Sequence, residues 1–450
     1  LAEVEMHAIQ TSGNCVRNIT TEAFAGVAAD ELIDPRPLAE ILRQWSTINP
    51  EFLFLPRKFK IAICSAEQDR AAIMMHDIGL YLYADASGQM LLRVIVGGGL
   101  GRTPILGLQI RQDLPWQHLL SYVEAVLRVY NRYGRRDNKY KARIKILVKA
   151  LGIEAFAREV EQEWQHLKDG PAQLTEAEFQ RVASAFVAPS YAPLADTCLE
   201  HGTRLAENPA FARWVARNVQ PHKVPGYASV VLSTKPGSAA PPGDVSDRQM
   251  DAVADWSEQF GFGEIRIAHE QNIVLPDVPK AQLHALWRLA CEAGLGSSNA
   301  GLLTDIIACP GGDFCALANA KSIPIAQGIQ ARFDDLDYLH DLGDISLNIS
   351  GCMNACGHHH IGNIGILGVD KNGSEWYQIT LGGAQGKHSA LGKVIGPSFS
   401  AAEVPKVIEQ IIATFVRYRE PEELFVDTVQ RIGLEPFKER VYAKAVEGVA

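Results

Sequence analysis

Four cysteines in two closely spaced pairs are the residues of this chain best suited to bind a metal centre. Five residues separate Cys309 from Cys315, and three separate Cys352 from Cys356. The first pair encloses a proline and two glycines, which bend the backbone and let it approach a bulky inorganic group. The second pair is predicted to lie in one loop after an apolar strand. Thiolates in two clustered pairs can hold iron and sulfide, so the spacing favours an iron–sulfur cluster in a redox enzyme.

Two other uses of four cysteines remain open at this point. Zinc sites usually pair ligands that are two to four residues apart in sequence, and the first pair is wider than that. Disulfides are dense in small secreted proteins, whereas this chain has 8 cysteines in 450 residues. The spacing therefore ranks an iron–sulfur cluster first, zinc second and structural thiols last.

The composition sets the broad class of protein. A chain of 450 residues with 47% hydrophobic and 21% charged residues is expected to form two or three soluble globular domains. No apolar run is long enough to cross a bilayer, so we expect no membrane association. The formal net charge of -9 argues against nucleic-acid binding, which normally uses a basic surface. We therefore expect a cytoplasmic enzyme.

The chain repeats itself once, with an offset that drifts from 288 down to 281 residues along the sequence. Asp77 to Leu80 corresponds to Asn363 to Ile366, and Gly152 to Phe156 corresponds to Gly433 to Phe437. Each copy alternates strand-like apolar runs with helical periodicity, which predicts an α/β duplication with mixed (α+β) sheets. The predicted strands are 60–63, 79–83 and 91–96 in the first copy and 345–349, 364–369 and 376–381 in the second, with helices over 116–130 and 404–418.

Four segments follow from this pattern. They are a first repeat over 1–165, a connector over 166–220, a half-domain over 221–288 and a second repeat over 289–450. A helix, two strands and another helix are predicted over 247–288, before the second copy, and nothing comparable precedes the first. We therefore expect the natural protein to carry at least 42 more residues at its N-terminus.

The two copies have divided their chemistry. The four cysteines fall, in the first copy, near Thr21, Val27, Ala66 and Arg70, so only the second copy can hold a cluster. Conversely, the first copy carries three cations whose second-copy counterparts are not basic: Arg17, Lys58 and Lys60, against Asp305, Asp344 and Ser346.

Lys58 and Lys60 are two residues apart, so on one strand they would project to the same face and form a cationic patch that suits a small oxyanion. Arg17 could join this patch from an adjacent element. The alternative is a solvated strand edge, where lysines prevent aggregation. The apolar run 61–64 favours the first interpretation, because it indicates a strand that enters a core.

Three segments of the chain resemble the sirohaem-containing sulfite and nitrite reductase family. They are Gly-Cys-Met-Asn-Ala-Cys-Gly over 351–357, Thr-Ser-Gly-Asn-Cys-Val-Arg-Asn over 11–18 and Leu-Pro-Arg-Lys-Phe-Lys over 55–60. The spacing within both cysteine pairs is also that of the family, and the similarity covers nearly the whole chain. The resemblance implies the duplicated fold of a sulfite reductase haemoprotein, in which 221–288 is a ferredoxin-like half-domain.

The resemblance also implies the cofactors and the reaction. Cys309, Cys315, Cys352 and Cys356 would bind a [4Fe-4S] cluster, and Cys356 would also be the axial ligand of the sirohaem iron. Arg17, Lys58 and Lys60 match the family's anion-binding positions, where they would neutralise the substrate and supply protons. Lys60 favours sulfite, because plant-type nitrite reductases tend to have Asn there. The expected activity is assimilatory six-electron reduction of sulfite to sulfide. Nitrite reduction, or a non-catalytic electron-transfer role, is the alternative.

Three further residues are predicted to contact the cofactors. Arg102, and Lys321 in an expected helix after Cys315, are expected to contact the sirohaem carboxylates or, equally, to be surface charges, and Asn354 lies inside the second cysteine motif. The basic stretch 132–145 is predicted to bind an acidic ferredoxin or flavoprotein donor, although a solvated helix end or contacts to cofactor carboxylates explain it at least as well. The family's first-copy Thr-x-Arg-Gln segment, which supplies another substrate arginine, is absent from this sequence.

Overall fold

The computed structural model describes residues 2–4 and 6–443, which divide into two compact units. The first unit holds the residues before Leu100 together with Thr103–Tyr191. The second holds Leu100–Arg102 together with the residues from Ala192 onward. The division falls inside the predicted connector.

The first unit contains one sheet and five α-helices among its described residues. The order is β1 Val16–Thr20, α1 Arg36–Ile48, β2 Phe59–Cys64, β3 Ile78–Ala84, β4 Met90–Val96, β5 Leu108–Pro115, α2 Leu119–Tyr133, α3 Ile144–Leu151, α4 Ile153–Gln165 and α5 Glu176–Ala183, with short 3-10 helices at Ala2–Val4, Pro50–Phe52, Ile73–Met75 and Trp116–His118.

The strands of this sheet follow sequence order, β1-β2-β3-β4-β5. The first three are parallel to one another, and β4 and β5 continue the sheet in antiparallel pairing. The alternate strand residues Ile61, Ile63 and Leu80 belong to a core shared with α1, α2 and α4. The opposite face carries a small apolar cluster that includes Ala62 and Cys64.

The second unit begins with helices and an antiparallel sheet. Two helices, α6 Leu199–Glu207 and α7 Pro209–Asn218, lie in the predicted connector, and they are followed by β6 Val219–Pro221, β7 Tyr227–Leu232, α8 Asp247–Phe260, β8 Arg266–Ile267, β9 Ile273–Pro279, a 3-10 helix at Lys280–Gln282 and α9 Leu283–Glu292. The strands form an antiparallel sheet in the order β6-β7-β9-β8. A capping box formed by Ser246 and Gln249 begins α8, because each side chain satisfies a backbone N–H at the first turn.

The second repeat follows in the same unit. It contains β10 Ile307–Ala308, α10 Gly311–Phe314, α11 Ile323–Gln330, α12 Leu336–Leu342, β11 Leu347–Ser350, β12 Ile364–Lys371, β13 Ser374–Leu381, β14 Lys393–Val394, β15 Phe399–Ser400, α13 Val404–Tyr418, α14 Phe425–Ile432 and α15 Glu435–Tyr442. Its sheet runs β10-β11-β12-β13-β14, with parallel pairs first and antiparallel pairs after, and β15 also pairs with β13.

Matching hydrogen bonds confirm the duplication. The side chain of Asp77 accepts the backbone N–H of Lys60 at 2.8 Å, and that of Asn363 accepts the N–H of Ser346 at 2.9 Å. Ala72 and His358, which are 286 residues apart, both have a left-handed backbone, with φ of +53° and +55°. A constant offset of 286 therefore relates the cysteine loop of the second copy to residues 66–73 of the first.

No helix in the described residues is both long and apolar enough to span a membrane. The predicted strands of both repeats are present, with ends shifted by at most two residues, and the helix predicted over 404–418 runs over Val404–Tyr418. The helix predicted over 116–130 begins instead with the 3-10 turn Trp116–His118, and α2 extends to Tyr133.

Candidate active site

The two cysteine loops of the second repeat lie side by side. They follow β10 and β11, which are parallel neighbours, so both loops leave the same edge of the sheet. The backbone N–H of Cys309 donates to the carbonyl oxygen of Ile349 at 3.1 Å. The N–H of Gly351 donates to the Sγ atom of Cys309 at 3.1 Å. The structure therefore brings the loops of the two predicted pairs into contact, and none of the eight cysteines, all of which lie in the described residues, forms a disulfide.

Two glycines allow the backbones of these loops to touch. Gly311 has a φ of +57°, in the left-handed region that favours glycine. A Cβ atom on Gly351 would lie 2.5 Å from the carbonyl oxygen of Ala320 and 2.9 Å from the Cα atom of Gly311. Any larger residue at Gly351 would push the loops apart, so this glycine serves the close packing of one cysteine loop on the other.

Both cysteine loops expose large apolar side chains. Cys352 is buried, whereas Cys356 is exposed. Phe314, Leu317 and Met353 are 80%, 72% and 44% exposed. Exposed large apolar side chains are available to cover a bound apolar group. Thiols beside such a surface fit an iron–sulfur cluster and a flat macrocycle, because thiolates bind iron and hydrocarbon covers a ring face.

The three consecutive histidines after Cys356 have different partners, as expected of adjacent residues. The Nδ1 atom of His358 is 3.0 Å from the Nε2 atom of His269, and the Nε2 atom of His360 is 3.0 Å from the carbonyl oxygen of Gly101. His359 is fully buried. Burial, and to a lesser degree the neighbouring His360, lowers the pKa of His359 to about 3, so its ring is neutral at physiological pH.

Of the three predicted cofactor contacts, Arg102 and Asn354 are exposed residues of the second unit. Arg102 directly follows Gly101, whose carbonyl oxygen lies at His360. Lys321 lies outside any helix, contrary to the prediction, because α11 begins only at Ile323 with a proline in its first turn. The Lys321 ammonium is 3.5 Å from the carboxylate of Asp313, between the first two cysteines.

Lys60 lies on the interior strand β2 of the first unit. Phe59, Ile61 and Ile63 are fully buried in the main core, so alternation places Lys60 on the opposite face. Because β2 is paired with β1 and β3, the strand-edge alternative is wrong. Lys58 directly precedes the strand, so only one of the two lysines is a strand residue.

Arg17 lies on β1, the strand that pairs with β2. Val16 pairs with Phe59, and the register of the two strands shifts between Val16 and Ile19, which places an irregularity at Arg17. The Arg17 guanidinium donates to the carbonyl oxygen of Thr11 at 2.6 Å and to that of Gly13 at 2.8 Å. The loop before β1 therefore anchors Arg17 on the strand next to that of Lys60.

A buried ion pair that local sequence patterns do not predict contacts the backbone of Lys60. Asp77 is fully buried; one of its carboxylate oxygens accepts the backbone N–H of Lys60, and both accept the Arg143 guanidinium at 2.7 to 2.8 Å. The duplication indicates that Asp77 has a structural role. Asp77 and its counterpart Asn363 are both polar, and both precede an apolar strand.

The basic stretch 132–145 is consequently not one surface. Arg143 forms an ion pair with the carboxylate of Asp77. Lys145 is buried, and its ammonium donates to the carbonyl oxygens of Gly99 at 3.1 Å and Thr103 at 2.6 Å. Burial, with a contribution from Arg143, lowers the pKa of Lys145 to about 8. The prediction that all these cations face a donor is therefore wrong for Arg143 and Lys145.

Each copy has a different, ion-paired residue at the position where the other copy carries a predicted site residue. Arg70 stands where the second copy has Cys356, and its guanidinium pairs with Glu22 and, at 2.7 Å, with Asp30. Asp305 stands where the first copy has Arg17, and it pairs at 2.6 Å with the fully buried ammonium of Lys235. The structure confirms that the first copy has no thiol at the place of Cys356.

Two family models match this chain. The nitrite and sulphite reductase 4Fe-4S domain matches residues 12–168 and 300–447, and the nitrite/sulfite reductase ferredoxin-like half domain matches residues 237–293. The first model covers both repeats, and the second covers α8, β8, β9 and α9, which lie between the repeats in sequence.

Named relatives and a solved structure agree with these models. "Sulfite reductase [ferredoxin] 2" of Mycolicibacterium paratuberculosis is 30% identical over 96% of this chain and 72% of its own length. "Ferredoxin--nitrite reductase" of Synechococcus elongatus is 28% identical over 92% of this chain and 74% of its own length. The structure of the Mycobacterium tuberculosis NirA protein superposes with a TM-score of 0.76 at 27% identity, covering 97% of this chain and 74% of that one.

A duplicated sheet with two adjoining cysteine loops defines the class as iron–sulfur redox enzymes. The chain belongs to the nitrite and sulphite reductase family. It is an oxidoreductase, and membership of this family implies sirohaem and a [4Fe-4S] cluster as its cofactors.

Proposed function

We propose that this protein is the assimilatory sulfite reductase haemoprotein, which reduces sulfite to sulfide with six electrons. The observation that carries the proposal is the contact between the two cysteine loops, which follow neighbouring parallel strands at one edge of a sheet. Relatives named sulfite reductase [ferredoxin] support it.

The proposed roles follow from where each side chain lies. Cys309, Cys315, Cys352 and Cys356 hold the cluster, and the exposed Cys356 also ligates the sirohaem iron. When bound, the coupled cofactors supply electrons at the iron. Arg102, Asn354 and Lys321 bind the sirohaem periphery, because all three expose polar groups in the unit that holds the cysteines.

Arg17, Lys58 and Lys60 are proposed to bind the oxyanion. Arg17 and Lys60 lie on the adjacent strands β1 and β2 of the first sheet, where their positive charge would offset the charge of sulfite. The ammonium groups also donate protons as each S–O bond breaks and water leaves. Asp77 keeps the backbone of Lys60 fixed, so that the side chain departs from a rigid strand.

Sulfite is preferred over nitrite in this proposal because Lys60 stands where plant-type nitrite reductases tend to have Asn. We expect the purified holoenzyme to show Soret and red absorption bands, and to turn over sulfite faster than nitrite with reduced viologen as donor. A nitrite rate far above the sulfite rate would reverse the substrate assignment. A protein that binds a cluster but shows no haem bands would instead be an electron-transfer protein.

The proposed electron donor is an acidic ferredoxin, and the proposed docking residues are Lys139 and Lys141. Both are exposed, and the Lys139 ammonium lies 5.3 Å from the ring of the exposed Tyr140. The neighbouring Arg135 pairs with Asp137, so part of the basic stretch is already neutralised. A flavoprotein is the alternative donor. The cytoplasm is the proposed location, since cluster-binding thiols must stay reduced.

Reversing both charges, with Lys139→Glu and Lys141→Glu, is expected to raise the Michaelis constant for ferredoxin roughly 10-fold at low salt, because steering by complementary charge is lost. The rate with reduced viologen should not change. The matched control reverses the exposed Lys406 and Arg440, which alters the net charge equally. An unchanged Michaelis constant in the first double variant would remove this docking surface.

A further inference from the structure

A buried polar layer lies under the loop that carries Cys356. Leu347 and Ile349 of β11 point into the core of the second repeat, so Asn348 and Ser350 lie on the other face of the strand. They are only 3% and 1% exposed. His359 is 0% exposed, and neither of its ring nitrogens has a hydrogen-bond partner among the residues that the structure describes. Polar side chains therefore occupy an interior position beside the cysteine loop.

The first copy shows what this position holds when no cluster is bound. At an offset of 286 residues, Asn348 corresponds to Ala62, Ser350 to Cys64 and His359 to Ile73. Ala62 and Gly79 pair across β2 and β3 as Asn348 and Gly365 pair across β11 and β12, which fixes this correspondence. In the first copy these residues form a small apolar cluster. Polar groups at this layer are thus not needed by the fold itself.

Two residues of the layer hold the peptide groups of Gly357, which directly follows Cys356. The Nδ2 atom of Asn348 donates to the carbonyl oxygen of Gly357 at 2.9 Å. The backbone N–H of Gly357 donates to the Oγ atom of Ser350 at 3.1 Å. A Cβ atom on Gly357 would lie 2.0 Å from the carbonyl oxygen of Ile349, so the loop is pressed against β11. Both sides of this residue are fixed by buried side chains.

The loop needs this support because its backbone is strained on both sides of Cys356. Ala355 has a φ of +57° and His358 a φ of +55°, a region that residues with a Cβ atom adopt at a cost. Only the second of these has a left-handed counterpart in the first copy, at Ala72. The strain at Ala355 is therefore specific to the copy that carries the thiol.

We propose that Asn348 and Ser350 are positioning residues that fix the direction of the Cys356 thiolate through Gly357. The proposal rests on the proposed function, in which this thiolate joins the cluster to the sirohaem iron. Outer partners of metal ligands orient the ligand and tune the bound group, and a thiolate shared by two centres must satisfy both directions at once. Loosening Gly357 would therefore alter the haem–cluster coupling while the anion-binding residues stay intact.

The test uses the holoenzyme with Asn348→Ala, which installs the residue of the first copy, and with Ser350→Ala. We expect the ferric haem EPR signal and the Soret position to change in both variants. We also expect kcat for sulfite to fall about 10-fold, with the Michaelis constant for sulfite unchanged. Ser350→Thr, which keeps the hydroxyl, should restore the wild-type spectrum. Variants with wild-type spectra and kcat would overturn the proposal.

Asn218→Ala is the matched control, because Asn218 is also fully buried and its Nδ2 atom donates to the backbone carbonyl oxygens of Val231 at 2.8 Å and Ser297 at 3.1 Å, outside the cysteine loops. If this variant changes the haem spectrum equally, the effect is general loosening and the proposal fails. A wild-type protein without haem bands would instead refute the proposed function. The two failures are therefore distinguishable.

Discussion

Replacing Cys356 with serine is expected to abolish sulfite reduction and to uncouple the haem from the cluster. Serine keeps the size of the side chain but offers a hard, protonated oxygen where iron requires a soft thiolate. The loss should exceed the roughly 10- to 100-fold that follows when only an outer partner of a metal ligand is removed. Absorption and EPR spectra of the purified variant, with its iron content, measure the change.

Cys291→Ser is the appropriate control for this experiment. Cys291 is another exposed thiol of the same unit, and it lies outside both cysteine loops. Its Sγ atom is 3.8 Å from the carbonyl oxygen of Gly296. This variant should keep wild-type spectra and activity. A Cys356→Ser protein that retained the coupled haem spectrum would show that another residue ligates the sirohaem iron.

Replacing Lys60 with asparagine is expected to lower kcat/KM for sulfite by about 100- to 1,000-fold, the cost of losing one preorganised group that stabilises developing charge. Nitrite reduction should fall much less, because asparagine is the residue that plant-type nitrite reductases tend to have at this position. The measurement is parallel steady-state kinetics with both substrates and reduced viologen.

Lys60 is partly exposed and its backbone contact with Asp77 is retained in the variant, so the thermal unfolding midpoint should not change. Lys149→Asn, at an exposed position on α3, controls for the loss of a positive charge from the first unit. If Lys60→Asn kept sulfite kinetics within about twofold of wild type, Lys60 would have no role in binding the oxyanion.

Local sequence patterns predicted most of the fold. The strands of both repeats and the helix Val404–Tyr418 follow from apolar periodicity, which depends on neighbouring residues alone. The cysteine loops were predicted for the same reason, since their spacing is local and few groups other than metal centres use it. A nearly constant sequence offset relates the residues of one copy to those of the other, because the sheets of the two copies have the same order of strands.

Long-range electrostatics could not be predicted in this way. The sequence places Arg143 in a basic stretch that predicts a charged surface. In the structure its guanidinium pairs with Asp77, which lies 66 residues earlier. Nothing in the local pattern of either residue indicates the other. The sequence predicts a helix at Lys321, but the helix begins only at Ile323, with Pro324 in its first turn. Asn348 and Ser350 alternate with apolar residues, a pattern that normally indicates a solvated face, but the loop after β11 covers them.

The ion pairs of Arg70 occupy the position in the first copy that corresponds to Cys356, and they limit the number of metal clusters that one chain can bind. A guanidinium cannot be deprotonated in a protein and offers no lone pair to iron, and here two carboxylates already compensate its charge. We therefore expect one cubane per chain rather than two, and iron and acid-labile sulfide analysis of the holoenzyme would measure this ratio.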